Sequence, residues 1–379
     1  MDTDCRAWLE IDLDAIIANL RMIARRCAPC KLLAVVKGDA YGMGARRVAA
    51  AVESGVVAVL GVATLEEARE LADNPLPKQI ISAILPAEIP GAVSDGFIIP
   101  VEDVATARLV SAEAVRQDLT ALCELKLDTG MGRLGILAER AEKEISEIVK
   151  LPNLRIAGMF THLACAGNLN DPFTYGQIDA IVKLAAALSA AGVKIPELHC
   201  AASDAIVNYP ESYSSPFTMV RPGTAIYGSC FSAAADLPLV PAVAFKSRLI
   251  AVRELPAGHS VGYSRLCRLA RPSRIGVVAA GYCDGVKIPL TNRGYVLMRG
   301  RFCPIAGRVS MDYTSVSLDD CPEAQVGDEV VFIGESGDAR ITVEDWARLN
   351  GTVTQEILCS FAPRVKRCYL QKSKDHETR

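Results

Sequence analysis

The feature that most constrains how this chain folds is a series of eight short apolar runs. They lie near residues 32–36, 57–62, 79–85, 97–100, 120–127, 155–161, 197–200 and 217–221. Most are continuously apolar rather than alternating, the pattern of a strand covered on both faces. Stretches with helical character separate many of them, at 44–54, 65–72, 102–117, 138–150 and 173–191. Strands alternating with helices form parallel sheets, and eight such units predict a closed (β/α)8 barrel of the TIM type. The connection between the third and fourth runs is short for a full helix. Ahead of the first strand, Ile16, Ile17, Leu20 and Ile23 share one face of a helix over 14–26.

After about residue 240 the character changes. GYVLMRGRFCPIAGRVSM, TSVSL and VGDEVVFIG read as strands between Gly and Pro turns, with Arg299–Gly300 as a hairpin turn. Only 342–351 reads as a clear helix there. The chain is therefore expected to be α/β, with a barrel over 11–238 and a mostly β domain over 239–379. Residues 1–10 are expected to join the second domain, and the tail KSKDHETR to fray.

Bulk properties narrow the function. A net charge of −3 over 379 residues gives no basic surplus for nucleic acid or anionic lipid. The N-terminus MDTDCRAWLEIDLDAI has no apolar core of a signal peptide, and runs such as VVAVLGVA are too short to span a bilayer. A soluble cytoplasmic enzyme for small molecules is the expectation. The 13 cysteines are then expected to be free thiols. Cys27 and Cys30 form a lone CAPC pair with no second CxxC to complete a zinc site, so no metal is expected.

In a barrel of this kind the chemistry sits at the C-terminal ends of the strands. Those positions are unusually polar here: Lys37 ends the first strand, Lys126 and Asp128 the fifth, His162 the sixth, His199 the seventh and Arg221 the eighth. A lone strand-end histidine is usually a satisfied polar residue, whereas this many ionisable groups on one rim point to a site. Arg221 opens RPGTAIYG, where a glycine after the last strand lets backbone N–H groups approach a phosphate. Lys37, leaving an apolar strand in VVKGDAYGMG, suits a lysine that bonds covalently to a carbonyl compound.

AVVKGDAYGMG, KLDTGMGRLGI, FTHLACAG, HCAAS, VRPGTAIYG, VGYSRLCR, GYCDG and PIAGRVSMDYTSV, in this order, resemble the alanine racemase family. The likeness extends from RAWLEIDLDAI to EILCSFAPRVKR, nearly the whole chain. It implies a pyridoxal 5'-phosphate enzyme that interconverts L- and D-alanine, with Lys37 carrying the cofactor and serving as one base. Tyr263 matches the second base, which in this family comes from the other subunit of a homodimer. Arg221 is implied to face the pyridine nitrogen and keep it unprotonated, favouring racemisation over transamination. His162 is implied to lie near the ring and hydrogen-bond toward Arg221, with Tyr41, Ser203, Gly223 and Thr224 on the phosphate. Arg133, Met311 and Asp312 match substrate-carboxylate positions, Tyr282 and Arg308 the lining of the access channel, and Lys126 a lysine carbamylated in many relatives. The family's usual role is to supply D-alanine for a bacterial wall.

Four departures from the family pattern touch the pocket. Met43 stands where His is frequent, Ala202 where Asn often precedes the serine, Pro363 where many members have tyrosine, and Val286-Lys287-Ile288 where an arginine is expected. They leave room for a racemase of serine or of several amino acids. A pyridoxal-phosphate carrier without racemase activity is the third reading, opposed by the β domain that carries Tyr263. A barrel decarboxylase would place Glu, not Arg221, against the ring nitrogen.

Overall fold

The structure is a computed structural model that describes residues 5–230 and 237–371, so the tail KSKDHETR lies outside the described residues. The chain divides into two compact units, Ile17–Val240 and a second made of Met1–Ile16 with Pro241–Arg379. Strand β1 (Ala7–Asp12) belongs to the second unit, and the helix Leu13–Arg26 leads from it into the first.

The first unit contains β2 (Lys31–Val35), β3 (Val57–Val62), β4 (Lys78–Ile80), β5 (Ile99–Val101), β6 (Ala121–Asp128), β7 (Ile136–Leu137), β8 (Leu154–Phe160), β9 (Glu197–His199) and β10 (Met219–Val220). Regular parallel pairing joins β10-β2-β3-β4 and β5-β6-β8-β9 into two arcs. Two seams complete the ring. At one, Ile80 N–H donates to Ile98 O and Ile98 N–H to Lys78 O, each at 3.0 Å. At the other, Thr218 N–H donates to Leu198 O and Arg221 N–H to Ala201 O, each at 2.9 Å. The eight parallel strands of the expected barrel thus follow one another around a closed circuit, with β7 a short appendage on β6.

Short strands suffice because both their faces are covered. Leu33 and Val35 on one face of β2 join Val59, Ile98 and Met219 in a buried cluster, while Leu32 and Ala34 on the other face are also buried. Helices fill the connections where sequence allows: Val104–Arg116 starts on Asp103, whose carboxylate accepts from Thr106 N–H at 2.6 Å. The third-to-fourth connection carries only the six-residue helix Ile89–Ser94, in keeping with its length. Between β9 and β10 stand the short helix Ser203–Asn208 and a 3-10 turn, Pro210–Ser212, neither long enough to show a helical period.

The second unit is mostly β. Its remaining strands are β11 (Val243–Leu255), β12 (Ser260–Val261), β13 (Cys267–Arg268), β14 (Ser273–Val278), β15 (Tyr295–Met298), β16 (Arg301–Pro304), β17 (Thr314–Ser317), β18 (Glu329–Ser336), β19 (Ala339–Ile341) and β20 (Lys366–Leu370). A nine-stranded sheet runs β16-β15-β18-β11-β1-β20, with β14, β17 and β19 branching from it and β12-β13 a separate ribbon. The first strand of the chain therefore lies between β11, antiparallel, and β20, parallel. Phe245 on β11 meets Phe332, Trp346 and Phe361 with ring centroids 5.2, 6.1 and 4.9 Å away, an aromatic core for this unit. Arg299 and Gly300, with φ of 50° and 79°, make the expected hairpin turn between β15 and β16. The expected helix is Val343–Asn350, followed by a five-residue helix, Thr354–Leu358, too short to announce itself.

Gly158 on β8 tests the closeness of the strands. A Cβ there would stand 2.8 Å from Glu197 O and 2.9 Å from Glu124 Oε1. Gly158→Ala is expected to cost about 1–3 kcal/mol, read as a lower urea midpoint at unchanged slope. An unchanged midpoint would contradict this packing.

Candidate active site

The rim at the C-terminal ends of the barrel strands is built from several dissimilar local structures. After β2 the chain does not continue as an ordinary helix. Gly38, Asp39, Ala40 and Tyr41 have φ of 64°, 52°, 55° and 57°, a complete left-handed turn. For residues with a Cβ this costs roughly 1–2 kcal/mol each, so neighbouring groups must hold it. Glu67 accepts from Gly38 N–H at 2.7 Å and Ala63 N–H at 2.6 Å, and Asp39 Oδ1 accepts from Ala45 N–H at 2.7 Å. Ala40 N–H donates to Val36 O at 2.8 Å, tying the turn to the strand. Such strain concentrates at functional sites, and this turn carries both Lys37 and Tyr41. The GDAYGMG glycines are its sole sequence signal; Asp39, Ala40 and Tyr41 carry none.

Tyr41 reaches the segment after β10. A Cβ on Gly223 would stand 2.3 Å from its Oη, so the backbone there is exposed to the phenol only because the residue is glycine. Ser203 Oγ accepts from Gly223 N–H at 2.9 Å and Ala225 N–H at 3.2 Å, which leaves the hydroxyl proton to donate elsewhere. The hydroxyls of Tyr41, Ser203 and the buried Thr224 are thus grouped around the Gly223 backbone. That donor set fits a phosphate.

Arg221 is buried beside it. Its NH2 donates to Thr161 O at 2.7 Å and Cys200 O at 3.1 Å, and its NH1 stands 2.7 Å from His199 Nδ1. The sequence expectation gave that last bond to His162; here His199, one strand over, makes it. Arg221 continues β10 from beside β9, and the register of that seam brings the His199 imidazole to its NH1. The remaining N–H groups of Arg221 have no protein partner among the described residues, which fits a ring nitrogen that accepts. Burial pulls the guanidinium down to about 10, partly offset by Cys200 and Glu124.

The other rim residues act on one another. Burial first, and then the cations Arg221, Arg133, Lys37 and Lys126, together draw His162 down to about 3, so the imidazole stays neutral. Lys126 is drawn down to about 8 by burial, with Glu102 opposing and Arg133, Arg221 and Lys37 assisting; its Nζ donates to Ile81 O at 3.0 Å and Ser82 O at 3.3 Å. Lys37, Lys126, Arg133, His162 and Arg221 are therefore brought together. Asp128 serves differently from a rim acid. Burial opposes its charge, yet backbone N–H groups of Gly130 (2.8 Å), Gly132 (3.1 Å) and Arg133 (3.0 Å) hold its carboxyl below the usual range and fold the loop that carries Arg133.

The second unit holds the remaining expected residues in one loop cluster. Tyr263 sits in a turn with Gly262, Ser264 and Arg265 at φ of 74°, 60° and 52°, and is 71% exposed. A Cβ on Gly262 would stand 3.0 Å from Arg308 N, placing the backbone before Tyr263 against Arg308. Tyr282 N–H donates to Ser310 O and Cys283 N–H to Met311 O, each at 3.0 Å. Arg364, unforeseen from the sequence, ties this cluster: its guanidinium binds Asp284 at 2.7 and 2.9 Å and Asp312 at 2.8 Å. Pro363, beside it, is exposed.

Cys27 and Cys30 are buried, and burial pushes the Cys27 thiol up to about 12. The Cys30 thiol donates to Tyr213 O at 3.1 Å. Both behave as packed thiols. Among the described residues no group of three or more His, Cys, Asp or Glu could hold a metal ion, and no helix is long and apolar enough to cross a membrane.

The low His162 value has a measurable consequence in the cofactor-free protein. Below about 6.5 the unfolded chain binds a proton that the folded imidazole refuses until about 3, so stability falls as pH falls through that window. His162→Gln should remove about 2 kcal/mol of the loss between pH 7 and pH 5, measured by urea denaturation at both pH values. Equal acid sensitivity in the variant would mean that His162 titrates normally.

Comparison with known proteins agrees with the geometry. Residues 11–230 match the alanine racemase N-terminal domain and residues 242–369 the alanine racemase C-terminal domain. The alanine racemase of Desulfosudis oleivorans is 37% identical over 386 aligned residues, covering 98% of each chain. The crystal structure of alanine racemase from D-cycloserine-producing Streptomyces lavendulae superposes with a TM-score of 0.90 at 34% identity, covering 99% of this chain and 100% of that one. A Bartonella henselae alanine racemase with covalently bound pyridoxal phosphate gives 0.88 at 28% identity, over 97% and 100%. This chain belongs to the alanine racemase family.

Proposed function

We propose that this protein interconverts L- and D-alanine with pyridoxal 5'-phosphate, using Lys37 and Tyr263 as bases on opposite faces of the substrate. The observation that carries this reading is the meeting of Lys37, Arg221 and the Tyr41–Ser203–Gly223 donors on one rim. When bound, the cofactor withdraws electrons from the α-carbon and makes its proton removable. Lys37 Nζ would hold the cofactor covalently in the resting enzyme and, once the substrate's amine has displaced it and left it a free amine, would move the α-proton on one face. The Tyr263 hydroxyl moves it on the other, and its exposure suits a residue that the second subunit of a homodimer supplies.

The remaining residues bind and orient. Tyr41, Ser203, Gly223 and Thr224 hold the phosphate. Arg221 donates to the ring nitrogen and keeps it unprotonated, which moderates electron withdrawal and returns the proton to the α-carbon rather than to the cofactor. His162 stays neutral beside the ring. Arg133 and a backbone N–H of the Met311–Asp312 segment address the substrate carboxylate, and Tyr282 and Arg308 line the access channel. Lys126 is a site for carbamylation: with its value near 8 a fraction is free amine at neutral pH, able to take up carbon dioxide, release a proton and become an anion that orients Arg133. The protein then works in the cytoplasm on a small-molecule substrate, supplying D-alanine.

Two variants test the assignment. Lys37→Ala should abolish the absorbance band of covalently held cofactor; a persisting band would move the attachment to another lysine. Tyr263→Phe should slow α-proton removal from one enantiomer by at least about a hundredfold and from the other far less. Small and equal effects in both directions would place the second base elsewhere.

A further inference from the structure

Behind Arg221 lies a polar chain that the proposed reaction does not use. Glu124 on β6, His199 at the end of β9 and Arg221 are 2%, 0% and 4% exposed. Glu124 Oε2 stands 2.8 Å from His199 Nε2 and accepts from Gln79 Nε2 at 2.5 Å, while His199 Nδ1 stands 2.7 Å from Arg221 NH1. A guanidinium can only donate, so Nδ1 must present its lone pair and the imidazole proton must sit on Nε2, aimed at Glu124. Glu124 Oε2 in turn receives two N–H donors, so that oxygen acts as an acceptor only. Phe160 stacks on His199 at 5.2 Å and 13° and also lies 5.3 Å from the Arg221 guanidinium carbon, which fixes the plane of the imidazole.

We propose that Glu124 is a positioning residue for the racemase reaction: acting through His199, it selects the imidazole edge that Arg221 meets and supplies the buried anion that balances the guanidinium. This rests on the reading of Arg221 as the partner of the ring nitrogen. With the opposite tautomer an N–H would face an N–H, and Arg221 would have to turn away from its carbonyl partners. Lys37 and Arg133, and Lys126 while it is not carbamylated, are cations on the same rim, with Glu102 facing Lys126, so Glu124 is placed to offset the Arg221 charge itself.

The test uses the cofactor-loaded enzyme. The chain has four histidines, so 15N-histidine NMR with a His199→Gln reference assigns the His199 signals. Near pH 7 they should report the neutral Nε2–H form; the Nδ1–H form or a doubly protonated ring would overturn the proposal before any Glu124 variant is made. Glu124→Gln keeps the acceptor and removes the charge, and Glu124→Leu removes both. Each should lower kcat by about tenfold or more with KM within about threefold, and raise pyruvate released per racemisation turnover by at least about threefold. A merely structural Glu124 would lower stability and leave that partition unchanged, which overturns the proposal. Arg221→Glu is the control. If it raises the partition and the Glu124 variants do not, Glu124 alone loses its role; if it does not, the reading of Arg221 fails.

Discussion

The arrangement depends on a guanidinium buried at the seam of the barrel. The backbone N–H of Arg221 closes β9 against β10, and its side chain runs to Thr161 O, Cys200 O and His199. A charge taken out of water is costly unless its donors are met. Here β8, β9 and, through His199, Glu124 on β6 meet them. Ring closure and site electrostatics are therefore one event: the strands must converge for Arg221 to be satisfied, and Arg221 must be satisfied for the charge to remain there.

Around it the rim is cationic. Lys37, Lys126 and Arg133 join Arg221, and His162 among them is kept neutral. Glu102 offsets Lys126, and the cations in excess on the rim concentrate ligands of the other sign, which suits a phosphorylated cofactor and an amino-acid carboxylate together. The left-handed turn at Gly38–Tyr41 is the conformational cost of aiming Lys37 and Tyr41 into this region. Glu67 and Asp39 hold it by backbone bonds, so the strain is local and its support is rigid.

Much of this was legible in the residues. Continuous apolar runs marked all eight barrel strands because burial on both faces removes any need for alternation, and the strand-end ionisable residues pointed to the rim. Two kinds of feature were not legible. Asp39, Ala40 and Tyr41 give no local hint of left-handed geometry, since that conformation is imposed by Glu67, 26 or more residues away in the chain. Which histidine meets Arg221 depends on strand register across the β9–β10 seam, so His162 was expected where His199 stands. Glu124 in ELKLD reads as an ordinary charged residue until the barrel closes and buries it against His199 and Gln79. Arg364 likewise gained meaning only when Asp284 and Asp312 came together.

The central claim is a two-base racemase that acts on alanine, and one measurement addresses it directly. The cofactor-loaded enzyme is incubated in D2O with single enantiomers of alanine, serine and a panel of other amino acids, and chirality and α-deuterium are followed together. The account predicts interconversion of L- and D-alanine with deuterium appearing in the product enantiomer. Absence of racemisation in every member of the panel, with cofactor bound, would contradict it.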